Sequence, residues 1–211
     1  IRAIECTFNE NSASNNGAVA YVGGTLTLED CLASSNSAQR GATVYFHAGS
    51  YPDSRLNLLR CTVVSDSSSG GGSIHLATSA APVRIEACNF LDNFGWGGSS
   101  IYTSGFDSLL TVRNCLFLGN RSMNQGGAIS AFDMPVSIEN CLFSGNQSLS
   151  SGAEGGAVWG GAGMTIVNST FSRNSAVSAG SGGVIGFSSH GAVALNGGLW
   201  GNTDGSASTE D

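Results

Sequence analysis

The chain has 211 residues, 31 of them glycine, and only 11% of the residues carry a charge. The eight cationic side chains are all arginine, and the absence of lysine excludes a Walker A phosphate loop and Schiff-base chemistry. The net charge of −7 argues against nucleic acid as a partner, because phosphate binding needs a basic patch. No run of about 18 apolar residues occurs, so no transmembrane segment is predicted in this piece of chain.

The chain opens directly in a strand-like run over residues 1–8, without a signal peptide. The first coil of a repeat protein needs a cap, because its open strand edge would otherwise pair with other chains. We therefore expect one domain over residues 1–211. We also expect this domain to be a fragment of a longer repeat protein, stacked end to end with further repeats.

A repeated motif then runs along the chain and is aligned most easily on its cysteines. The cysteines lie 25 to 30 residues apart, and Ser169 and Gly197 continue the same spacing. The aligned cysteines are Cys6, Cys31, Cys61, Cys88, Cys115 and Cys141. Unequal intervals around a constant motif indicate loops of variable length between fixed elements.

The motif has three parts, which the segment around the sixth cysteine illustrates. An apolar pair, Val136 and Ile138, precedes the cysteine, while Phe143 follows it by two residues and Asn146 by three more. A glycine pair with a small and a β-branched residue ends the segment at 155–158. Alternation of apolar and polar residues is typical of short strands, and Asn and Gly are typical of turns because both tolerate a positive φ.

These properties predict an all-β protein, a single-stranded right-handed parallel β-helix (β-solenoid) of about eight coils with three short strands in each coil. Stacked coils pair every strand with its equivalent in the next coil, at a sheet spacing of about 4.8 Å. Helical repeats, leucine-rich repeats and propeller blades fit less well. They would need, respectively, a 3.6-residue periodicity, a regular leucine consensus and about forty residues or more per repeat.

Stacking turns each inward position into a column of like residues. One predicted core column is Phe8, Ala33, Val63, Phe90, Phe117, Phe143, Phe171 and Leu199. A second, of mostly β-branched residues, is Val19, Val44, Ile74, Ile101, Ile129, Val158 and Ile185. The Asn that follows the first column is expected to form a ladder of side-chain amides from coil to coil.

The cysteines admit two interpretations. An even number of cysteines is compatible with a disulfide framework. We favour free thiols in a small, half-apolar core position, because Ser169 and Gly197 occupy the same position and a side-by-side column has poor disulfide geometry. Clustered ligand pairs for zinc are missing, so no metal site is predicted.

The paired signatures GGA[ILV] and FxxN resemble the repeats of the polymorphic outer-membrane proteins of chlamydiae. The closest matches are residues 126–129 and 155–158 for the first signature, and Phe117–Asn120, Phe143–Asn146 and Phe171–Asn174 for the second. Those proteins are autotransporter passengers that act as adhesins. The resemblance therefore implies a structural and adhesive role outside the cell or at its surface, with a glycan or protein of a host or neighbouring cell as partner. It supplies no catalytic residue.

Parallel β-helices also include polysaccharide lyases, hydrolases and epimerases, whose sites need clustered carboxylates on one face together with a base or acid. Here the acidic residues scatter over turns and loops, and no GxSxG elbow occurs. The histidines, His47, His75 and His190, have no shared set of acidic partners. We therefore predict no catalysis and no cofactor, and keep a carbohydrate-binding or polysaccharide-active β-helix as the alternative.

One outward column carries aromatic side chains. The residues directly after the β-branched column are Ala20, Tyr45, His75, Tyr102, Ser130, Trp159 and Gly186. We predict that its aromatic members form an exposed strip, a candidate ligand-binding site because rings stack on sugars and contact proteins. These members are Tyr45, His75, Tyr102 and Trp159. The alternative is that the rings merely cover the sheet or lie under a loop.

Two further interpretations depend on single positions of the repeat. A flat face of threonines would indicate ice binding, but the column four residues before the cysteine is interrupted by two arginines and a valine. Its members are Arg2, Thr27, Asn57, Arg84, Thr111, Ser137, Thr165 and Val193. Asn120, Asn146 and Asn168 lie in N-x-Ser/Thr sequons that a eukaryotic secretory pathway would glycosylate, although the first two belong to the predicted Asn ladder.

Overall fold

The computed structural model describes residues 1–48, 53–77, 81–106, 108–177, 182–187, 193–204 and 209–210. Within these residues the chain winds as an all-β, right-handed parallel solenoid of about seven turns. Equivalent strands of successive turns pair in parallel and build three sheets, so the predicted β-helix is confirmed. No helix in this described part of the chain is suited to crossing a membrane.

Each coil contributes two short strands to the first sheet, which has 14 strands among the described residues. The strands before the cysteine, termed first strands, are Arg2–Ile4, Leu26–Glu29, Leu56–Leu59, Val83–Glu86, Leu110–Arg113 and Val136–Glu139. The strands after it, termed second strands, are Thr7–Asn9, Leu32–Ser34, Thr62–Val64, Asn89–Leu91, Leu116–Leu118 and Leu142–Ser144. In the last two coils the pair is continuous, as Met164–Ser172 and Val193–Trp200.

The second sheet receives one strand, termed a third strand, from each described coil after the first, and the third sheet receives one strand, termed a fourth strand, from each of the first seven coils. The third strands are Ser37–Ala38, Ser67–Ser68, Phe94–Gly95, Arg121–Ser122, Gln147–Ser148, Ser175–Ala176 and Asn202–Thr203, with Thr209–Glu210 antiparallel at one edge. The fourth strands are Ala20–Val22, Val44–Phe46, Ile74–Leu76, Ile101–Phe106, Ile129–Asp133, Val158–Gly160 and Ile185–Phe187. Within the described ranges the eighth repeat has no fourth strand. The solenoid therefore has about seven turns where the repeat count predicts eight.

The chain turns two of its corners through residues with positive φ, a conformation that most side chains avoid. The residues immediately before the cysteine position have φ between 50° and 54°; they are Glu5, Asp30, Arg60, Ala87, Asn114, Asn140 and Asn168. The residues immediately before the Asn ladder share this conformation; they are Glu10, Ser35, Ser65, Asp92, Gly119, Gly145, Arg173 and Gly201. Because the same dihedral recurs at the first corner of seven coils and at the second corner of all eight, successive coils superpose and keep one register.

The glycine motif forms a third corner. Gly126 and Gly155 have φ of 66° and 67°. A β-carbon on Gly126 would lie 1.9 Å from the carbonyl oxygen of Ile129, and one on Gly155 would lie 2.1 Å from that of Val158. This corner therefore requires glycine both for its dihedral and for the close approach of the chain to itself.

The central core column is a stack of phenylalanine rings from consecutive coils. Its fully buried members are Phe90, Phe117, Phe143 and Phe171. Neighbouring rings are parallel to within 4°, and their centroids lie 4.6–4.9 Å apart. Strand register joins the whole predicted column from Phe8 to Leu199, although Leu199 is 38% exposed. The interior is thus a continuous apolar stack that links one coil to the next.

The β-branched column is confirmed in the later coils, but the prediction for its first member is wrong. Strand register pairs Ala20 with Val44, so Ala20 and not Val19 belongs to this column. Tyr21 consequently joins the outward column. Alternation could not fix the phase, because residues 19–22 are all apolar.

A ladder of buried Asn side chains follows the second corner. Nδ2 of Asn120 donates to the carbonyl of Phe90 at 3.0 Å and to Oδ1 of Asn146 at 2.9 Å. The backbone N–H of Asn120 donates to the same Oδ1 at 3.1 Å. Equivalent bonds recur at Asn93, Asn146 and Asn174. Each amide joins its own coil to both neighbouring coils, so the predicted ladder is confirmed.

One coil carries Asp66 in place of the ladder Asn. Oδ1 of Asp66 accepts from the backbone N–H of Asn36 at 2.8 Å and from its Nδ2 at 3.2 Å, while Oδ2 accepts from the Thr43 hydroxyl. A carboxylate cannot donate, so the bond that the ladder amides give to a carbonyl of the preceding coil is missing here. Burial raises the pKa of the Asp66 carboxyl above its ordinary value, against the opposing effect of these hydrogen bonds.

We expect Asp66→Asn to stabilise the protein by about 1 kcal/mol or more at neutral pH. Because the folded carboxyl has a raised pKa, it retains a proton that the unfolded chain has released, and stability falls as the pH rises above about 4. The amide has no such dependence, so its advantage should widen from acid to neutral pH. Urea unfolding across this range tests the prediction. Asp92→Asn, at an exposed corner, is the control, and equal gains in both variants would contradict it.

The cysteine column lies at the first corner, with five of its six side chains buried. Each Sγ donates to the carbonyl two residues earlier, as Cys115 does to Arg113 at 3.1 Å. In coils four to six Sγ also accepts a backbone N–H from the preceding coil, as Cys115 does from Cys88 at 3.4 Å. Ser169 takes the same position and makes the equivalent pair of bonds. The structure thus places free thiols in a small, half-apolar core position.

Candidate functional site

Six aromatic rings form a ladder on the outer face of the sheet that the fourth strands build. They belong to Tyr21, Tyr45, His75, Tyr102, Phe132 and Trp159, which we call the aromatic ladder. Centroids of neighbouring rings lie 4.7–5.7 Å apart. The structure therefore brings together the four aromatic residues of the predicted strip and adds two more.

Sequence reasoning misses these two members for different reasons. Tyr21 is missed because the apolar first coil conceals its phase. Phe132 lies two residues beyond Ser130 on the same strand, and its ring fills the gap that Ser130 leaves between Tyr102 and Trp159. Because alternate residues of a strand share a face, a search of each strand at two-residue steps would have found Phe132.

The aromatic ladder is less exposed than the sequence predicts. His75 is 3% exposed and Trp159 is 6% exposed, so the prediction of exposed rings is wrong for these two residues. Tyr45 and Tyr102 are half-buried, while Tyr21 is 58% exposed. The physical reason is the stacking itself, because each ring shields the faces of its neighbours. Solvent therefore reaches mainly the edges of the stacked rings, and it reaches a ring face only at Tyr21, where the ladder ends.

The rings also pack onto the glycine corner. A β-carbon at Gly71 would lie 2.3 Å from Nδ1 of His75, and one at Gly97 would lie 3.0 Å from the ring of Tyr102. The glycines thus leave room for the rings to lie flat against the chain. Covering this corner and its sheet is the structural role that the geometry supports, and ligand binding by the ladder is a separate hypothesis.

His75, in the middle of the ladder, is a buried base without a carboxylate partner among the described residues. Its Nε2 lies 3.1 Å from the Ser104 hydroxyl, and its Nδ1 has no hydrogen-bond partner there. Burial lowers the pKa of His75 to about 3, with a smaller contribution from the charge of Arg40. A base with this pKa is poorly matched to proton transfer near neutral pH.

We expect His75→Phe to make the protein more resistant to acid. The folded imidazole has a pKa of about 3, so below about 6.5 the unfolded chain takes up the proton first. Stability is then lost as the pH falls, by about 1.4 kcal/mol for each pH unit in this window. Phenylalanine has no proton to take up and keeps a ring in the ladder. Thermal unfolding at neutral and acid pH measures the effect. His47→Phe, at an exposed position, should leave the acid sensitivity in place, and its loss in both variants would refute the assignment.

A second surface column is apolar. The residues that directly follow the third strands in four consecutive coils are Trp96, Met123, Leu149 and Val177, which we call the apolar strip. Trp96 and Val177 are each 53% exposed, Met123 is 37% exposed and Leu149 is partly buried. The strip was not predicted although all its members lie eight residues after the cysteine position, because the polar residues Gln39 and Ser69 hold that position in the two coils before Trp96. Exposed apolar patches often mark contacts with other proteins.

A groove lies on the outer face of the first strands. It has a volume of about 410 Å³ and is lined by Arg55, Asn57, Pro82, Val83, Arg84, Thr111 and Arg113, which we call the arginine groove. A second groove of about 270 Å³ shares Arg84 with it. Three of the eight arginines of the chain thus converge from consecutive coils. Sequence reasoning treats Asn57, Arg84 and Thr111 only as parts of an interrupted threonine face.

Neighbouring carboxylates pair with two of the three guanidinium groups. Arg84 pairs with Glu86, and Nε of Arg113 lies 3.0 Å from Oε2 of Glu139. Both arginine side chains remain at least half exposed. Arg55 is exposed and has no ion-pair partner in the described part of the chain. The arginine groove therefore keeps unused guanidinium donors.

Other candidate groups do not assemble into a site. Within the described residues, no three His, Cys, Asp or Glu side chains converge as a metal site requires. His190 lies outside the described residues. Among the sequons, Asn120 and Asn146 are fully buried in the Asn ladder, so a glycan cannot reach them in the folded chain, whereas Asn168 is exposed.

Parallel coils, three sheets and repeated inward columns define this chain as a right-handed β-solenoid repeat protein. Residues 1–171 match the family model described as "Right handed beta helix region". The chain belongs to that family. Neither a curated protein nor a solved structure gives a significant match. The family match supports the β-helical part of the resemblance drawn from the repeats and does not single out the chlamydial proteins.

Proposed function

We propose that this protein is a rigid scaffold of the extracellular space or cell surface that presents a binding surface and catalyses no reaction. The observation that carries the proposal is a contrast between the inward-facing and the outward-facing columns of the solenoid. Inward columns such as the Phe stack and the Asn ladder repeat from coil to coil, whereas the outward columns change residue type. Repetition confined to the interior suits a rod that holds varied surface groups at fixed positions.

Two observations support an adhesive role. The GGA[ILV] and FxxN repeats resemble those of chlamydial surface adhesins, which favours a surface location. The apolar strip places Trp96, Met123 and Val177 in solvent along one line, an arrangement suited to contact with a protein of a host or neighbouring cell.

Binding of the purified chain to cultured animal cells tests the adhesive part. A Trp96→Ser/Met123→Ser variant should lose most of the binding, because it removes the centre of the apolar strip. Leu142→Ser, a leucine of similar exposure on another face, is the matched control and should bind as the parent does. Equal binding by all three proteins would remove the apolar strip from the proposal.

The aromatic ladder is tested separately on arrays of surface glycans. If its open end contacts sugars, Tyr21→Ala should weaken glycan binding, since Tyr21 has the most exposed ring. Trp159→Phe, at a buried rung, should not. Unchanged binding in the Tyr21 variant would leave the ladder with its covering role alone.

The absence of catalysis is tested by incubating the chain with a panel of polysaccharides, with and without calcium, and measuring released ends. We expect no turnover. Turnover that disappears when one carboxylate is replaced would overturn the scaffold proposal in favour of a polysaccharide-active β-helix.

Carbohydrate binding without turnover is the second candidate function. The arginine groove favours it, because charged, hydrogen-bonding and apolar groups converge there on one surface of the solenoid.

A further inference from the structure

We infer that the cysteine column is a binding site for a thiophilic monovalent metal ion of the Cu(I) class, held between the sulfurs of two successive coils. The inference goes beyond the proposed function and does not depend on it. Strands on both sides of the cysteine position pair in register from the second coil to the sixth. The buried free thiols of these coils therefore form a row along the solenoid; they are Cys31, Cys61, Cys88, Cys115 and Cys141.

The spacing of this row suits an ion with two ligands in a straight line. Successive coils follow one another at about 4.8 Å. Two metal–sulfur bonds of about 2.3 Å each, placed end to end, join sulfurs about 4.6 Å apart. The thiol of Cys115 lies within hydrogen-bonding reach of those of Cys88 and Cys141, so neighbouring sulfurs face each other across each gap. An ion midway between two of them would complete its coordination without a large shift of the backbone.

The ligands select the class of metal. Thiolates are soft ligands, which favour Cu(I) over harder ions. Zinc in a structural site needs four ligands at the corners of a tetrahedron. The row offers two sulfurs for each gap, and among the residues that the structure describes no three His, Cys, Asp or Glu side chains converge on one point. Because two ligands satisfy Cu(I), the same geometry that excludes zinc admits this ion.

Binding exchanges protons for the metal ion. Two thiols lose one proton each, two metal–sulfur bonds form, and the bound group carries one negative charge. Backbone N–H groups already point at the sulfurs, since that of Cys88 donates to Sγ of Cys115 at 3.4 Å. Such hydrogen bonds stabilise a thiolate. Deprotonation gives up the hydrogen bond from each S–H to a carbonyl, as from Cys115 to Arg113 at 3.1 Å, and the metal–sulfur bonds must outweigh this loss.

Two triple variants with the same number of thiols test the inference. Cys6→Ser/Cys31→Ser/Cys61→Ser, the adjacent variant, keeps three buried thiols in consecutive coils. Cys6→Ser/Cys61→Ser/Cys115→Ser, the spaced variant, keeps three buried thiols two coils apart, at about 10 Å, which one ion cannot bridge. Serine fits this position, because Ser169 holds it and makes the equivalent hydrogen bonds.

Each protein is titrated anaerobically with Cu(I) supplied from a chelator of known affinity, with long incubation because buried sulfurs are reached only through local opening. The unaltered chain and the adjacent variant should bind the ion, release two protons for each ion and show two sulfur neighbours in a line by X-ray absorption. The spaced variant should bind at least about a hundredfold more weakly. In denaturant the two variants should bind alike, because an unfolded chain no longer sets the distance between thiols. The folded proteins should not retain Zn(II).

Equal affinity of the two folded variants for Cu(I) would overturn the inference, since the adjacency of the thiols would then have no effect. Three or four sulfur neighbours around the ion in the unaltered chain, retention of Zn(II), or a folded adjacent variant that does not bind would overturn it as well. Circular dichroism establishes that each variant folds, and X-ray absorption on the unaltered chain decides the inference if a variant does not. The scaffold proposal is unaffected by these results, because cell binding tests it independently.

Discussion

Replacing Phe143 with alanine is expected to lower the free energy of unfolding by about 3–5 kcal/mol. The ring is fully buried and stacks on Phe117 at 4.6 Å and on Phe171 at 4.7 Å. Its removal loses the transfer free energy of the ring and leaves a cavity that the flanking coils cannot close, because their spacing is set by backbone pairing on all sides. Urea unfolding followed by circular dichroism measures the change.

Leu142→Ala is the matched control for this prediction. Leu142 is the preceding residue of the same strand, points to the other face and is 38% exposed, so its truncation should cost less than about 1 kcal/mol. A Phe143 variant no less stable than the Leu142 variant would mean that the Phe stack does not hold the coils together.

Asn120→Ala is expected to cost about 2–4 kcal/mol, because it leaves buried groups without partners. The side chain of Asn120 donates to the carbonyl of Phe90 and to Asn146, and its Oδ1 accepts from the backbone N–H and Nδ2 of Asn93. Alanine makes none of these bonds, and the site is too well packed to admit water freely. Denaturant unfolding gives the overall cost.

Hydrogen exchange gives a local test of the same variant. The backbone N–H of Asn93 loses its acceptor when Asn120 is replaced, so its exchange should accelerate more than that of other interior amides. Arg121→Ala, the exposed next residue, should change stability by less than about 0.5 kcal/mol and leave this amide protected. Protection at Asn93 that survives in the Asn120 variant would contradict the ladder.

The Phe stack and the Asn ladder were predictable because each of their positions lies at a fixed distance from the cysteine. Phe143 follows Cys141 by two residues and Asn146 follows by five, and the same offsets recur in other coils. Such a constant offset means that one alignment of the repeat places whole columns at once. The weak point is the first coil, where the apolar run around Ala20 carries no alternation and the phase slips by one residue.

The surfaces were less predictable, for three physical reasons. Exposure depends on neighbours, so His75 points outward and is still covered by adjacent rings. Trp96 lies at a constant offset of eight residues from the cysteine, but polar residues hold this position in the two preceding coils, so the column does not read as apolar along the whole repeat. Arg55 precedes its strand and meets Arg84 and Arg113 only through the stacking of coils, a relation that no single repeat displays.

The recurrence of the Asn bonds also bears on how such a molecule changes length. Asn120 and Asn146 offer their neighbours the same donors and acceptors, so the top of one Asn-bearing coil matches the underside of another. Loss or duplication of a single unit would then shift everything beyond it by about 4.8 Å and leave every cross-section intact. Recombination within the gene can therefore change the length of the solenoid with less disturbance to the interior than any change of its cross-section would cause.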